Sequence, residues 1–257
     1  MHQGSGTGPS TGAHYPRIAP TNKGPAPVPH AACGVSCPGP RYRRGEGARS
    51  VKVRWNGLAL LVVTGLVVLS CRYVDIPVAL FFDGLLRWSV HWRHYAAHIP
   101  DALTGAVFVG TALSWWGYYV ARRHGRSHAA GFLQLVGICL PASLLAKAGL
   151  KFVFSRTNTH AWLAHRASYG FHWFQGGGLY NAFPSGHMVV FSAVGTALWM
   201  YYGRFRPLYL GALGALALAL VATDYHFVSD VLAGGYVGVI VALASRRFLA
   251  QPGRDRH

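Results

Sequence analysis

The sequence predicts an all-α membrane protein, a six-transmembrane-helix bundle with an interfacial helix after the first span and a long extracytoplasmic loop after the third. Three observations carry this reading. Apolar runs occupy 57–71, 103–121, 130–154, 188–202, 208–222 and 231–245, and each nears the roughly 20 residues of a perpendicular span once its tolerable flanks are included. Basic residues gather before the first run, in alternate loops and after the last run, the pattern of cytoplasmic segments. The longest stretch between runs, 155–185, is dense in glycine and aromatic residues, as ordered functional loops are.

The elements follow in order. Residues 1–50 form a basic tail rich in Pro and Gly; its first 47 residues lack aliphatic clusters, so burial does not offset the entropy of ordering them and the tail is expected to be disordered. It has no uninterrupted apolar core of a signal peptide. The stretch "RYRRGEGARSVKVRW" then places positive charge beside the first span of a membrane domain covering 51–250. After that span, "RYVDIPVALFFDGLLRWSVHWRHYAAHIPD" mixes apolar residues with Trp88, Trp92 and Tyr95, a composition suited to the outer interface. Residues 251–257 form a cytoplasmic C-terminal tail, so both termini lie inside.

A net charge of +17, from 24 Lys and Arg against 7 Asp and Glu, raises the question of a nucleic-acid partner. The charge is distributed as membrane topology distributes it, at Arg41, Arg43, Arg44, Arg122, Arg123, Arg126, Arg204, Arg206, Arg246 and Arg247, and nucleic acid is set aside. Four cysteines form no metal or redox motif: Cys33 and Cys37 stand without further ligands, and Cys71 and Cys139 lie in or near apolar runs. His91, His94 and His98 recur at helical spacing, but no carboxylate or cysteine joins them, so they read as one wet helix face and no metal is expected.

Three polar clusters fall at the outer ends of spans and hence at one membrane depth: "KFVFSRTNT" with Lys151 and Arg156, "PSGH" with Ser185, Gly186 and His187, and "DYHFVSD" with His226 and Asp230. Ser185 stands where it caps a helix whose free N–H groups favour an anion. Lys151 and Arg156 add positive charge around it. His226 and Asp230 share a helix face, where a carboxylate holds one ring nitrogen and leaves the other nucleophilic. His187 supplies a second imidazole for proton transfer.

On these stretches, from "KFVFSRTNT" through "FPSGHMVV" to "LVATDYHFVSDVLAGG", the chain resembles the type 2 phosphatidic acid phosphatase (PAP2) family, specifically its membrane lipid-phosphatase branch, related to the vanadium haloperoxidases. The similarity runs over about 145–243. The resemblance implies a cofactor-free, metal-independent and vanadate-sensitive hydrolase of lipid phosphates or pyrophosphates, with isoprenoid, phosphatidate-type or lipid A-type anchors. By the same resemblance His226 is the nucleophile that becomes a phosphohistidine, Asp230 orients it, and His187 protonates the leaving oxygen. Lys151, Ser185 and Gly186 hold the phosphoryl oxygens, joined by Arg156, or by Arg166 from the loop, as a substitute for a family arginine.

Two positions depart from the pattern. Counting from Lys151, the family's Arg-Pro pair falls on Asn158 and Thr159; counting back from His226, the third-motif Arg falls on Leu220. Two alternatives therefore stay open: transfer of the phosphoryl group to a second lipid, and a PAP2-like lipid-binding protein without turnover. The substrate anchor and the oligomeric state are not fixed by the sequence.

Overall fold

A computed structural model describes residues 57–86, 99–165 and 168–250. The two tails, the histidines at 91, 94 and 98, the cysteines at 33 and 37, and Arg166 lie outside the described residues. Among those described, all regular elements are helical: α1 (Gly57–Leu69), a π-turn (Ser70–Val74), α2 (Asp75–Leu86), α3 (Ile99–Arg123), α4 (Ser127–Phe154), the short α5 (Thr159–His165), α6 (Gly186–Tyr201), α7 (Arg206–Ala222) and α8 (Val228–Leu249). Four stretches are long and apolar enough to cross a membrane: Leu58–Leu85, Ser127–Phe154, Gly203–Ala222 and Val228–Leu249.

The first of these differs from the sequence reading, which ends the span at Cys71 and lays the following residues on the outer interface. Instead the helix continues through the π-turn into α2. The reason is Asp75, which is 1% exposed and ion-paired inside the protein, so the carboxylate that looks like the end of an apolar run is compatible with a continuous helix.

Helices α4, α6 and α8 pack on one another at the centre, with α3 against α4, α7 against α6, and α1 against α8. Only 6% of the apolar stretch of α7 is buried, against 44% in α8. Outward side chains such as Leu61, Phe108, Trp116 and Leu208 give the rim an apolar face of the kind lipid tails cover. The core between α3, α4, α6 and α8 is built from Val107, Leu135, Cys139, Val190, Ala193 and Ala242.

The α6–α8 contact fixes the site. Gly234 and Gly238, one turn apart on α8, let the two backbones approach closely, as small residues do between membrane helices. A Cβ at Gly234 would stand 2.6 Å from the Ser185 carbonyl oxygen and 2.9 Å from Met188 Cβ. We predict that Gly234→Ala pushes the start of α6 off α8 and, because a displacement of about 1 Å costs on the order of a hundredfold in rate, abolishes most activity. A circular-dichroism melt beside an activity assay checks it; a variant with unchanged rate would mean the two helix starts are not held by this contact.

Candidate active site

The loop from Ser155 to Ser185 starts with a left-handed turn, Ser155 at φ 41°, which ends α4 and turns the chain back over the bundle. Ser155 Oγ donates to the Phe152 carbonyl (2.7 Å) and accepts from the Gly176 amide (2.8 Å), tying the turn to the glycine-rich part of the loop. Arg156 and Phe171 form a β-bridge, and the Thr157 amide donates to the Gly170 carbonyl (3.1 Å). Rings of Phe154, Phe171 and Phe183 pack edge to face, and Trp173 lies tilted against Phe154 and Phe171. Trp173 and Phe174 remain more than half exposed.

The three polar clusters converge. Ser185 begins α6 in extended backbone, its amide donating to the Asp230 carbonyl (3.0 Å) at the start of α8. His226 and Asp230 lie on one side of that start, with His226 Nδ1 3.7 Å from Asp230 Oδ2, longer than a closed hydrogen bond. The second function of Asp230 Oδ2 is to accept the Phe227 amide (3.0 Å), which caps α8. Tyr225 packs edge-on against both imidazoles, 5.7 Å from the His187 ring and 5.1 Å from that of His226. His187 lies within electrostatic reach of His226, Lys147 and Lys151. Burial pushes His226 below the ordinary imidazole value against the pull of Asp230, and Lys151 and Arg156 add to the depression.

Two buried polar atoms at the start of α6, Ser185 Oγ and His187 Nε2, have no hydrogen-bond partner among the described residues. Lys151, in the last turn of α4, is half-buried beside them. Lys147, one turn earlier, lays its stem across Gly186: a Cβ there would meet Lys147 Cδ at 2.8 Å. The glycine is thus needed to let a cationic side chain lie over the turn.

Arg156 has a different setting from the phosphate ligand the resemblance implies. It is fully buried, and its Nη1 donates to Asp230 Oδ1 and Ser229 Oγ (both 2.5 Å). Its Nη2 donates to Asp75 Oδ2 and Tyr169 Oη (both 2.7 Å). Rings of Tyr169, Phe171 and Phe227 surround the guanidinium at 5.2, 5.2 and 4.7 Å. Burial works against its charge, but Asp230 and Asp75 outweigh burial and hold it protonated well above the ordinary arginine value. Tyr169, half-buried beside it, is raised above the ordinary phenol value, chiefly by burial. Asp75, Tyr169 and Ser229 are the members of this cluster that sequence reasoning missed. The available signal was a carboxylate inside an otherwise apolar helix.

Both departures from the motif pattern have structural work. Asn158 Oδ1 accepts the His160 amide (2.9 Å), capping α5. Leu220 is buried with Met188 and Val231, and its carbonyl accepts the amides of Tyr225 and His226 (both 3.1 Å). Arginine at 220 would place a charge in that apolar cluster, so we predict that Leu220→Arg destabilises the protein by about 3 kcal/mol or more and lowers activity. A thermal melt checks it; a gain of activity at unchanged stability would show instead that the position faces the anion. Asp224, in the turn between α7 and α8, is buried, with φ 55°.

Comparison with known proteins gives two findings. A model of the PAP2 superfamily matches residues 131–254. The chain is 24% identical over 221 residues, 83% of its own length and 88% of the relative's, to a lipid A 1-phosphatase of Rhizobium johnstonii (strain DSM 114642 / LMG 32736 / 3841). No solved structure matches.

Proposed function

We propose, on the premise that residues 131–254 are a PAP2 superfamily domain, that the protein is an integral-membrane lipid phosphate phosphatase working through a phosphohistidine on the extracytoplasmic face. The observation that carries the reading is the pair of partnerless buried atoms, Ser185 Oγ and His187 Nε2, beside Lys151 at the start of α6. Buried polar atoms are ordinarily paired, and a phosphoryl group supplies the missing acceptors. In this reading α3 and α6 join the four long apolar stretches to make six spans, with both termini cytoplasmic. At 16 residues, α6 extends about 24 Å, short of the roughly 30 Å hydrocarbon core, which sets its amino end a little below the outer headgroups.

The geometry supports a displacement in two steps. A ring nitrogen of His226 attacks phosphorus, forming the P–N bond as the lipid P–O bond breaks. Protonated His187 gives its proton to the departing lipid oxygen. Lys151, Ser185 Oγ and the Gly186 amide hold the phosphoryl oxygens as charge grows on them. Then His187 takes a proton from water, which attacks phosphorus, breaks the P–N bond and releases inorganic phosphate. Asp230 orients His226 throughout; its 3.7 Å approach to Nδ1 closes to hydrogen-bond length with substrate bound, as catalytic contacts often do. No metal or cofactor takes part.

The relative's activity puts lipid A 1-phosphate first among substrates to try. The test is inorganic phosphate release by detergent-purified protein from lipid A, phosphatidate, phosphatidylglycerol phosphate and undecaprenyl pyrophosphate, with excess chelator and with vanadate in parallel arms. Release that survives chelator and stops with vanadate is the expected result. Silence across the panel from folded protein moves the reading to lipid-to-lipid transfer or to lipid binding without turnover, which a labelled donor and acceptor pair separates.

A further inference from the structure

Behind His226 the buried charges do not cancel. Asp75 and Asp230 are carboxylates, Arg156 is the cation between them, and all three are at most 1% exposed. The cluster carries one net negative charge. Arg156 by itself would neutralise Asp230, since Nη1 already stands 2.5 Å from Asp230 Oδ1.

Asp75 prevents that neutralisation and also builds the start of α8. Its Oδ1 accepts the Ser229 amide (3.0 Å), and its Oδ2 accepts Ser229 Oγ (2.5 Å) and Arg156 Nη2 (2.7 Å). The residue preceding α8, Phe227, has no side-chain oxygen, so a free amide of the first turn is satisfied by a carboxylate from another helix. Asp75 reaches this place because the π-turn interrupts the regular ladder just before it, where the Cys71 carbonyl lies 2.8 Å from Tyr169 Oη. Tyr169 Oη is in turn 3.1 Å from Asp75 Oδ2. π-turns of this kind often mark functional places in helices. Asp75 also precedes the segment 131–254 that the superfamily model covers.

We propose that Asp75 is a positioning residue for the nucleophile: by sharing Arg156 with Asp230 it leaves the cluster its one negative charge, which stabilises the positive charge that develops on His226 as the P–N bond forms. The proposal rests on the phosphatase reading. The other charged neighbours of His226, namely Lys151, Arg156 and His187 when protonated, all oppose positive charge on the ring. An uncancelled carboxylate is what offsets them.

The experiment compares Asp75→Asn, Arg156→Gln and the double variant for phosphate release from lipid A or whichever panel lipid the wild type hydrolyses fastest. Asp75→Asn is expected to lower kcat about 10- to 100-fold, the usual effect of losing a partner one step behind the reacting group, with KM within about twofold. Because the double variant leaves Asp230 as the sole charge of the three, it restores the net −1, and its kcat is expected to exceed that of Asp75→Asn several-fold.

A mere strut gives the opposite order, since the second lesion only adds damage. Wild-type kcat in Asp75→Asn overturns the proposal, as does a folded double variant no faster than Asp75→Asn. If the asparagine variants fail to fold, Asp75→Glu decides: it keeps the charge, so kcat within about tenfold of wild type supports the proposal, and a folded glutamate variant without activity overturns it. A wild type that neither hydrolyses any panel lipid nor binds vanadate in calorimetry refutes the phosphatase reading and this inference together. An active wild type with the wrong variant order refutes the inference alone.

Discussion

Phosphate release by the His226→Ala protein is expected to fall on the order of 10⁴-fold or more, the usual consequence of deleting a nucleophile from a site that otherwise stays intact. Alanine removes a ring that is 4% exposed and edge-packed on Tyr225, so some stability is lost with it, and a melt must accompany the rate. The pH profile gives an independent reading. Attack needs the neutral ring, and burial holds His226 below the ordinary imidazole value of about 6.5. The acid limb of the profile, where this ring takes its proton and activity is lost, is therefore expected below about pH 6.5. Stability moves the same way: below about pH 6.5 the unfolded chain binds a proton that the folded site resists, so folding weakens as pH drops. A residual rate above a few per cent of wild type in folded His226→Ala would place the nucleophile elsewhere.

Legibility differed between the local and the distant parts of this site. The three stretches are legible as polar clusters at span ends, and the structure brings them to one place, but His226 sits in the bend before α8 rather than on its face and Ser185 Oγ makes no capping hydrogen bond. Long apolar runs were equally readable, because a membrane span leaves a continuous signal; Ser127–Phe154 and Val228–Leu249 are the clearest. The ion-paired carboxylate was not. Asp75 lies 81 residues from Arg156 and 154 from Ser229, and no spacing rule spans such distances. Placing its stretch on the outer interface is the natural local choice, and only the tertiary partners of Asp75 reverse it. The same holds for Leu220 and Asn158: motif counting registers a missing arginine, whereas a buried apolar cluster and a capped helix explain what stands there instead.

Arg156→Gln is expected to be strongly destabilising. Arginine is committed here to two carboxylates, and glutamine leaves both of them buried with no counter-charge. Breaking a buried ion pair by removing one partner costs about 3–5 kcal/mol, a large share of the roughly 5–15 kcal/mol by which a domain is stable. Three flanking rings add to the loss, since the guanidinium also fills the space between Tyr169, Phe171 and Phe227. Lysine does not repair it, because one ammonium lacks the planar fork that serves Asp75 and Asp230 together. Adding Asp75→Asn removes one of the two stranded charges, so the double variant is expected to melt above Arg156→Gln alone. Thermal melts in one detergent, with kcat and KM on the surviving protein, check both statements. Were Arg156→Gln instead to melt within a few degrees of wild type and raise KM alone, the arginine would be a phosphate ligand that leaves its carboxylates when substrate arrives.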